Sequence, residues 1–417
     1  MECTITGITH KGEGVARIDG KATFVTFTLP GETVKVEIIE EKKKYQRAKL
    51  IEVIAPSSNR TTPVCTHYYE CGGCALQHAD YETQLALKQR IVEENLSKLG
   101  DIQAPVHPII GMDSPWGYRN KVEWHINRTG NKTLMGYFQS ESHKLVEISS
   151  CQLISKEMQE LSKYICDHAE EIHLPENARL TIRQSSLNGK LMVIISGRGS
   201  FSMDVTPLKN MTNVTSVYGV ENNESKLLFG KEQLIEKIGP ISYQISPLSF
   251  FQVNPVQTKK LFDIVKAYAN LSGTEKVLDA YCGTGSISLY LANESENMLG
   301  IESNSQAVED ARSNALFNQV NNADFLTGKC ETIINQIEAD FDLAILDPPR
   351  TGCQPELVQA IAKKKINRVV YVSCNPATLA RDLALFVGLG YQVQEVQPVD
   401  MFAQTHHVEC VVVIERE

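Results

Sequence analysis

The sequence predicts an α/β protein whose C-terminal part is an open, doubly wound sheet. Three runs carry that reading: residues 277–285 (VLDAYCGTG), 343–350 (LAILDPPR) and 370–376 (VYVSCNP). Each is an apolar stretch of strand length that ends in a loop of specialised composition. In open α/β sheets ligands bind outside the carboxyl ends of the strands, so three such loops can share one crevice. From about residue 246 strand-like runs at 276–280, 298–302, 341–346, 367–373 and 407–414 alternate with helical stretches at 286–293, 304–318, 355–364 and 376–387. Alternating β and α units imply a parallel, doubly wound sheet.

The N-terminal part reads differently. In residues 1–55, Val34, Val36 and Ile38 alternate with polar residues, and Gly12, Gly14, Gly20 and Gly31 mark turns. A period of two with frequent turns predicts short strands and a small β-barrel, a shape that often binds single-stranded or folded RNA. Residues 56–63 (PSSNRTTP) read as a linker, and a cysteine-rich stretch follows it. Residues 81–99 read as a helix, with Leu85, Ile91, Leu96 and Leu99 among charged residues. Residues 119–126, 179–184 and 191–196 read as strands and 156–171 as a helix. The expected division is 1–55 barrel, 56–245 central mixed α/β domain and 246–417 doubly wound domain.

Composition narrows the class. The 417-residue chain has ordinary apolar and charged fractions, 42% and 22%, as in soluble multidomain proteins. No apolar run approaches a membrane span, and the first residues lack a secretory layout, so a cytoplasmic site is expected. A net charge of −9 argues against a protein that coats nucleic acid non-specifically. Residues 1–50 nevertheless hold nine Lys/Arg against seven Asp/Glu, and residues 42–49 (KKKYQRAK) carry five basic residues and no acid. Such a run is either a solvated hairpin or a phosphate-contacting edge.

The first loop carries a G-x-G and not the longer dinucleotide fingerprint. Its glycines allow a ligand to approach the backbone. Glu302 ends the next strand, 19 residues after Gly283, where a carboxylate can accept hydrogen bonds from both hydroxyls of a ribose. A nucleoside without a pyrophosphate fits S-adenosylmethionine better than NAD. Asp347 opens a stiff Pro-Pro loop, and Arg350 follows where enzymes that methylate exocyclic amines carry an aromatic residue.

Cys374 is the candidate nucleophile. It lies where a strand gives way to a helix starting near Pro376, and a helix N-terminus is expected to lower the thiol pKa. Carbon 5 of uracil cannot attack a methyl sulfonium unaided. A thiolate added to carbon 6 makes it an enolate, and a base must then remove the carbon 5 proton. Glu409, a carboxylate inside the apolar run 407–414 (HVECVVVI), is the candidate base, because burial raises a carboxyl pKa. His406 and His407 are weaker substitutes.

Eleven cysteines in a cytosolic chain point to metal or catalytic roles before disulfides. Cys65, Cys71 and Cys74 lie close in sequence, and Cys151 can supply a fourth thiol. Four thiolates suit structural zinc or an iron–sulfur cluster. Only Cys71 and Cys74 form a C-x-x-C pair, which tilts the reading toward a 4Fe-4S cluster, with zinc or free thiols as alternatives.

These residues together resemble the RNA uracil-5-methyltransferase family, which includes bacterial 23S rRNA enzymes and tRNA T-loop enzymes. The resemblance spans nearly the whole chain: a TRAM-like OB-type barrel, the four cysteines, residues 250–255 (FFQVNP), the Tyr281 loop, Glu302, residues 347–350 (DPPR), residues 373–376 (SCNP) and Glu409. It implies a Rossmann-like class I methyltransferase domain at the C-terminus and an iron–sulfur cluster in the central domain. It implies that Gln252, Tyr281, Glu302 and Asp347 contact S-adenosylmethionine, that Cys374 is the nucleophile and Glu409 the base, and that Cys65, Cys71, Cys74 and Cys151 hold a 4Fe-4S cluster. Ser286 stands where some members carry an Asn. The expected activity is 5-methylation of a uridine in 23S rRNA by a monomer, with a tRNA T-loop uridine as the alternative substrate. A non-catalytic RNA-binding factor would carry broken motifs, and a methyltransferase for small molecules or proteins would have little use for a basic barrel.

Overall fold

The computed structural model describes residues 1–129, 132–140, 142–199 and 201–417. Its first sheet has six strands, in the order Glu2–Thr4, Thr33–Glu41, Tyr45–Ala55, Lys21–Val25, Gly14–Ile18, Gly7–Ile8. It wraps Ile5, Ala16, Ile18, Val25, Val34, Val36 and Ala48 into a small core, with the period-two alternation sending intervening side chains outward. Lys42, Lys43 and Lys44 stand exposed at the tip of the long hairpin. The run is less bare than its sequence suggests: Lys42 pairs with Glu40 at 2.9 Å and Arg47 with Glu13 at 3.0 Å. The expected linker is tied down as well. Arg60 donates to the fully buried Glu32 at 2.7 Å and to the Phe27 carbonyl at 2.8 Å.

The second sheet has seven strands, ordered Glu224–Gly230, Val214–Glu221, Leu191–Ser196, Asn177–Gln184, Lys121–Thr129, Lys132–Phe138, Leu145–Glu147. Helix Lys156–Asp167 lies on it, four residues shorter at its C-terminus than the sequence suggested. Trp124 is buried beneath that helix and donates to Ser162 Oγ at 2.9 Å.

The third sheet runs Ala323–Thr327, Asn297–Glu302, Lys276–Ala280, Leu343–Leu346, Arg368–Ser373, Glu409–Arg416, Tyr391–Val399. The expectation of a wholly parallel sheet needs one correction. Strand Glu409–Arg416 is antiparallel to both neighbours. Its uninterrupted apolar run resembles that of a parallel strand because it too is buried on both faces, so composition does not disclose its direction. Strands Ala323–Thr327 and Tyr391–Val399 also escaped the sequence reading. Ala323–Thr327 is mostly exposed, and Tyr391–Val399 intersperses its buried residues with Gln and Glu, which weakens the hydrophobic signal.

Helix Tyr81–Leu99 begins at an Asp80 cap that accepts from the Thr83 N–H at 2.7 Å. It sends Val92 and Leu96 into the same core as Leu346, Tyr371 and Val412 of the third sheet. Segment 106–110 runs along the edge strand Tyr391–Val399 through bridges at Val396 and Val399, which covers an otherwise open edge. Among the described residues no helix is long and apolar enough to cross a membrane.

Replacing Trp124 by Ala removes a buried indole and the N–H that Ser162 Oγ accepts, leaving that hydroxyl only its bond to the Met158 carbonyl. Urea denaturation should show the central sheet destabilised by about 3–5 kcal/mol, and a change below about 1 kcal/mol would contradict the packing described.

Candidate active site

The reversal of one strand sets the geometry. Parallel strands Lys276–Ala280, Leu343–Leu346 and Arg368–Ser373 deliver the Tyr281, Asp347 and Cys374 loops to one edge of the sheet. The antiparallel strand begins at that same edge. Ser373 faces Cys410 in the register, and Val399 faces Glu409. Glu409, the first residue of its strand, is therefore brought beside Cys374.

The Cys374 loop is held on both sides. Ser373 Oγ accepts from the Asn375 N–H at 3.2 Å. Asn375 caps helix Pro376–Gly388, its Oδ1 accepting from the Ala377 N–H at 3.1 Å. Asn375 Nδ2 donates to the Arg350 carbonyl at 3.1 Å, and Thr378 Oγ1 donates to the same oxygen at 3.3 Å. The Pro-Pro loop and the thiol loop thus form one unit. Arg350 also lies 3.3 Å from Nε2 of His407.

The electrostatics differ from the expectation at one point. The helix N-terminus was expected to depress the Cys374 pKa. In the ligand-free site burial pushes the thiol up to about 11, Glu409 and Asp347 add to the rise, and Arg350 opposes it. Desolvation and two nearby carboxyls outweigh a helix end, whose effect is worth under about 1 kcal/mol. Glu409 behaves as foreseen: burial drives its pKa well above the ordinary carboxylate value, with Asp347 adding and Arg350 opposing. Burial also lifts Asp347 to about 7, with Asp279 adding. His406 and His407 are pushed down to about 4 and about 3, first by burial. They are uncharged at neutral pH, and a neutral His407 can accept from Arg350.

The first-loop side chains stand on neighbouring strand ends. Tyr281 takes a left-handed backbone conformation, φ 65°, and its buried hydroxyl has no hydrogen-bond partner among the described residues. Gly285 has φ 73°, and a Cβ there would lie 2.9 Å from the Phe325 ring, so only glycine fits the entry to helix Ser286–Leu291. Glu302 is oriented by backbone: one oxygen accepts from the Gly283 N–H at 3.3 Å and the other from the Asn304 N–H at 2.8 Å. Gln252 precedes helix Pro255–Ala269. That helix is tied to the loop leading to Glu409, since Asn254 Nδ2 donates to the Met401 carbonyl at 3.1 Å.

Asp279 was passed over as part of the glycine loop. It is fully buried, bonds Ser288 through Oδ2, leaves Oδ1 without a partner, and is raised to about 7 by burial. An acid closing an apolar strand was the available signal. Lys88, Tyr81 and Asp400, which anchor the loop before Glu409, were also missed; nothing in their local sequence sets them apart.

Cys65, Cys71, Cys74 and Cys151 line a separate cavity of about 50 Å³ together with Tyr68, Arg119 and Tyr137. Among the described residues no set of three or more His, Cys, Asp or Glu side chains is arranged to hold a metal ion. The expected cluster ligation is therefore not displayed; the four thiols meet only as the lining of a cavity.

A family model described as tRNA (Uracil-5-)-methyltransferase matches residues 80–417, and a TRAM domain model matches residues 1–51. An RNA methyltransferase of Clostridium tetani is 38% identical over 437 residues, covering 98% of this chain and 95% of its own. One from Halalkalibacterium halodurans is 37% identical, covering 100% of this chain and 96% of its own. The crystal structure of Pyrococcus abyssi tRNA (uracil-54, C5)-methyltransferase in complex with S-adenosyl-L-homocysteine is similar, with a TM-score of 0.81, 29% identity and 99% of each chain covered.

Because its pKa in the free protein is about 11, alkylation of Cys374 by iodoacetamide should rise about tenfold per pH unit between pH 7 and 9. Glu409→Gln removes a carboxyl that raises that pKa, so its rate at pH 8 should exceed wild type. Peptide mass spectrometry reads both, and a flat pH profile would refute the raised thiol.

Proposed function

This chain belongs to the tRNA (uracil-5-)-methyltransferase family, and we propose that it makes 5-methyluridine in 23S rRNA with Cys374 as nucleophile and Glu409 as base. The single observation that carries the mechanism is the register that brings the strand end after Ser373 beside the strand start at Glu409. S-adenosylmethionine, when bound, supplies an electrophilic methyl group. Tyr281, Glu302, Asp347 and Gln252 are the residues proposed to hold it. The unpartnered Tyr281 hydroxyl and Asp279 Oδ1 are polar atoms that a nucleoside with hydroxyl and amino groups can satisfy.

The steps assigned to the chain follow from its groups. Cys374, having lost its proton to solvent, adds as the thiolate to carbon 6 of uracil, and the electron pair of the 5,6 double bond moves toward the carbonyl at carbon 4. Carbon 5 would then bond to the methyl group as the methyl–sulfonium bond breaks, its electron pair staying on the departing thioether sulfur. Glu409 removes the remaining proton from carbon 5, the 5,6 double bond re-forms, and the Cys374 sulfur leaves. A carboxyl with a raised pKa is suited to this, since a base works best with a pKa near the working pH. Arg350, which opposes the charge repulsion at both Cys374 and Glu409, is placed to stabilise anionic character in the crevice.

The 23S rRNA assignment draws on the barrel and the four-cysteine set. A tRNA T-loop substrate is the second reading, favoured by the likeness to the Pyrococcus tRNA enzyme across both chains. We further propose that Cys65, Cys71, Cys74 and Cys151 take a 4Fe-4S cluster apart from the methyl chemistry. Four thiols converging on one cavity suit that group, and a cytoplasmic setting, where RNA is the partner, would keep them reduced.

Cys374→Ala should lower methyl transfer to RNA by at least ~10³-fold; full activity in that variant would end the covalent mechanism. Glu409→Gln should accumulate a Cys374–RNA adduct, visible as a retarded band on a denaturing gel. Mass spectrometry of rRNA and tRNA from a strain lacking the gene should show one 23S uridine unmethylated; loss confined to tRNA would select the second reading. Anaerobic purification should yield a brown protein containing iron and acid-labile sulfide, and a colourless zinc protein would remove the cluster.

A further inference from the structure

The loop of residues 400–408 joins strand Tyr391–Val399 to Glu409. It is long for a connection between adjacent antiparallel strands, and its backbone groups are held from outside. Phe402 O accepts from Lys88 Nζ at 3.1 Å, and Ala403 O accepts from the Tyr118 hydroxyl at 3.0 Å. Gln404 O accepts from the N–H groups of Ala75 and Leu76 at 2.9 and 3.0 Å. The Gln404 N–H donates to Gln84 Oε1 at 3.0 Å. At the head of the loop Asp400 accepts from Lys88 at 2.7 Å, from the Tyr81 hydroxyl at 2.8 Å and from the Phe402 N–H at 3.1 Å. Lys88 and Asp400 are both fully buried.

A buried ion pair is a weak source of stability, because desolvation of both charges offsets their attraction and an apolar pair of similar volume often does as well. A leucine pair would not supply the directional bonds that Lys88 makes to Phe402 O and that Asp400 makes to the Phe402 N–H. Lys88 and Tyr81 lie two turns apart on one face of helix Tyr81–Leu99, whose Val92 and Leu96 are packed in the core of the third sheet. The helix is thus a rigid strut, and the ion pair is its attachment to the loop.

We infer that Lys88, with Asp400 and Tyr81, is a positioning group for the base: it fixes the loop from which Glu409 enters the crevice. The inference rests on the reading of Glu409 as the base. Displacing a reacting group by ~1 Å can cost ~10²-fold in rate, and the step that suffers here is removal of the carbon 5 proton.

The test uses full-length Lys88→Met and the double variant Lys88→Met/Asp400→Asn, which leaves neither charge unpaired. Methyl transfer, KM for RNA and for S-adenosylmethionine, Tm, and the Cys374–RNA adduct on denaturing gels are measured beside wild type and Glu409→Gln. Lys88→Met should lower Tm and lower kcat by ~10–100-fold, leave both KM values within ~3-fold, and accumulate the adduct as Glu409→Gln does. The double variant should regain most of the Tm while kcat stays low and the adduct persists. If activity returns together with Tm, the pair is purely structural and the inference is overturned. It is equally overturned if kcat falls without adduct, or does not fall at all. If Glu409→Gln itself traps no adduct, the base assignment fails first and takes this inference with it.

Discussion

The direction of one strand governs the chemistry of this protein. In a sheet of parallel strands, residues at strand starts lie on the far side from the ligand crevice. Strand Glu409–Arg416 is inserted between Arg368–Ser373 and Tyr391–Val399 in the opposite sense. Its first residue therefore falls where its neighbours end. A carboxyl at the start of a strand and a thiol at the end of another become neighbours without a flexible loop between them, and both are set by backbone hydrogen bonds.

That closeness carries an electrostatic cost which shapes the site. Burial raises Asp279, Asp347 and Glu409; Asp279 adds to the rise at Asp347 and Asp347 to that at Glu409, where the cationic Arg350 opposes it. Each acid resists ionisation, and so does the thiol. At neutral pH the free site is closer to neutral than its composition suggests. In the proposed mechanism, bond formation at sulfur is thereby coupled to movement of a proton, and a carboxyl with a raised pKa is suited to take one from carbon. The same low-dielectric setting strengthens every hydrogen bond made to a developing charge.

The crevice is supported by segments distant in sequence. Helix Tyr81–Leu99 reaches the loop before Glu409 through Lys88, Tyr81 and Gln84. The residues after Cys74 bond the same loop. The barrel touches it too: a Cβ on Gly12 would lie 3.3 Å from that of His406. The barrel, helix Tyr81–Leu99 and the segment after Cys74 therefore all bear on one loop. Through contacts of this kind, segments distant in sequence bear on the geometry of the crevice.

Much of this was legible in the sequence because its signals are local. Strand Lys276–Ala280 and helix Tyr81–Leu99 announce themselves by length and period. The three loops announce themselves by residues with few structural uses in combination: Gly-x-Gly before a helix, Asp-Pro-Pro, and Cys followed by Asn-Pro. What sequence could not supply was relation in space. Whether strand Glu409–Arg416 runs up or down depends on where the chain crosses before it, since a doubly buried strand looks the same in either sense. Whether Cys374 has a low or a raised pKa depends first on its burial and then on Glu409 and Asp347, 35 and 27 residues away. Lys88 and Asp400, 312 residues apart, find each other only when a helix from one part of the chain docks on a loop from another. Side-chain type and spacing determined the chemistry available; packing alone decided which groups meet, because proximity across a sheet is written by no local pattern.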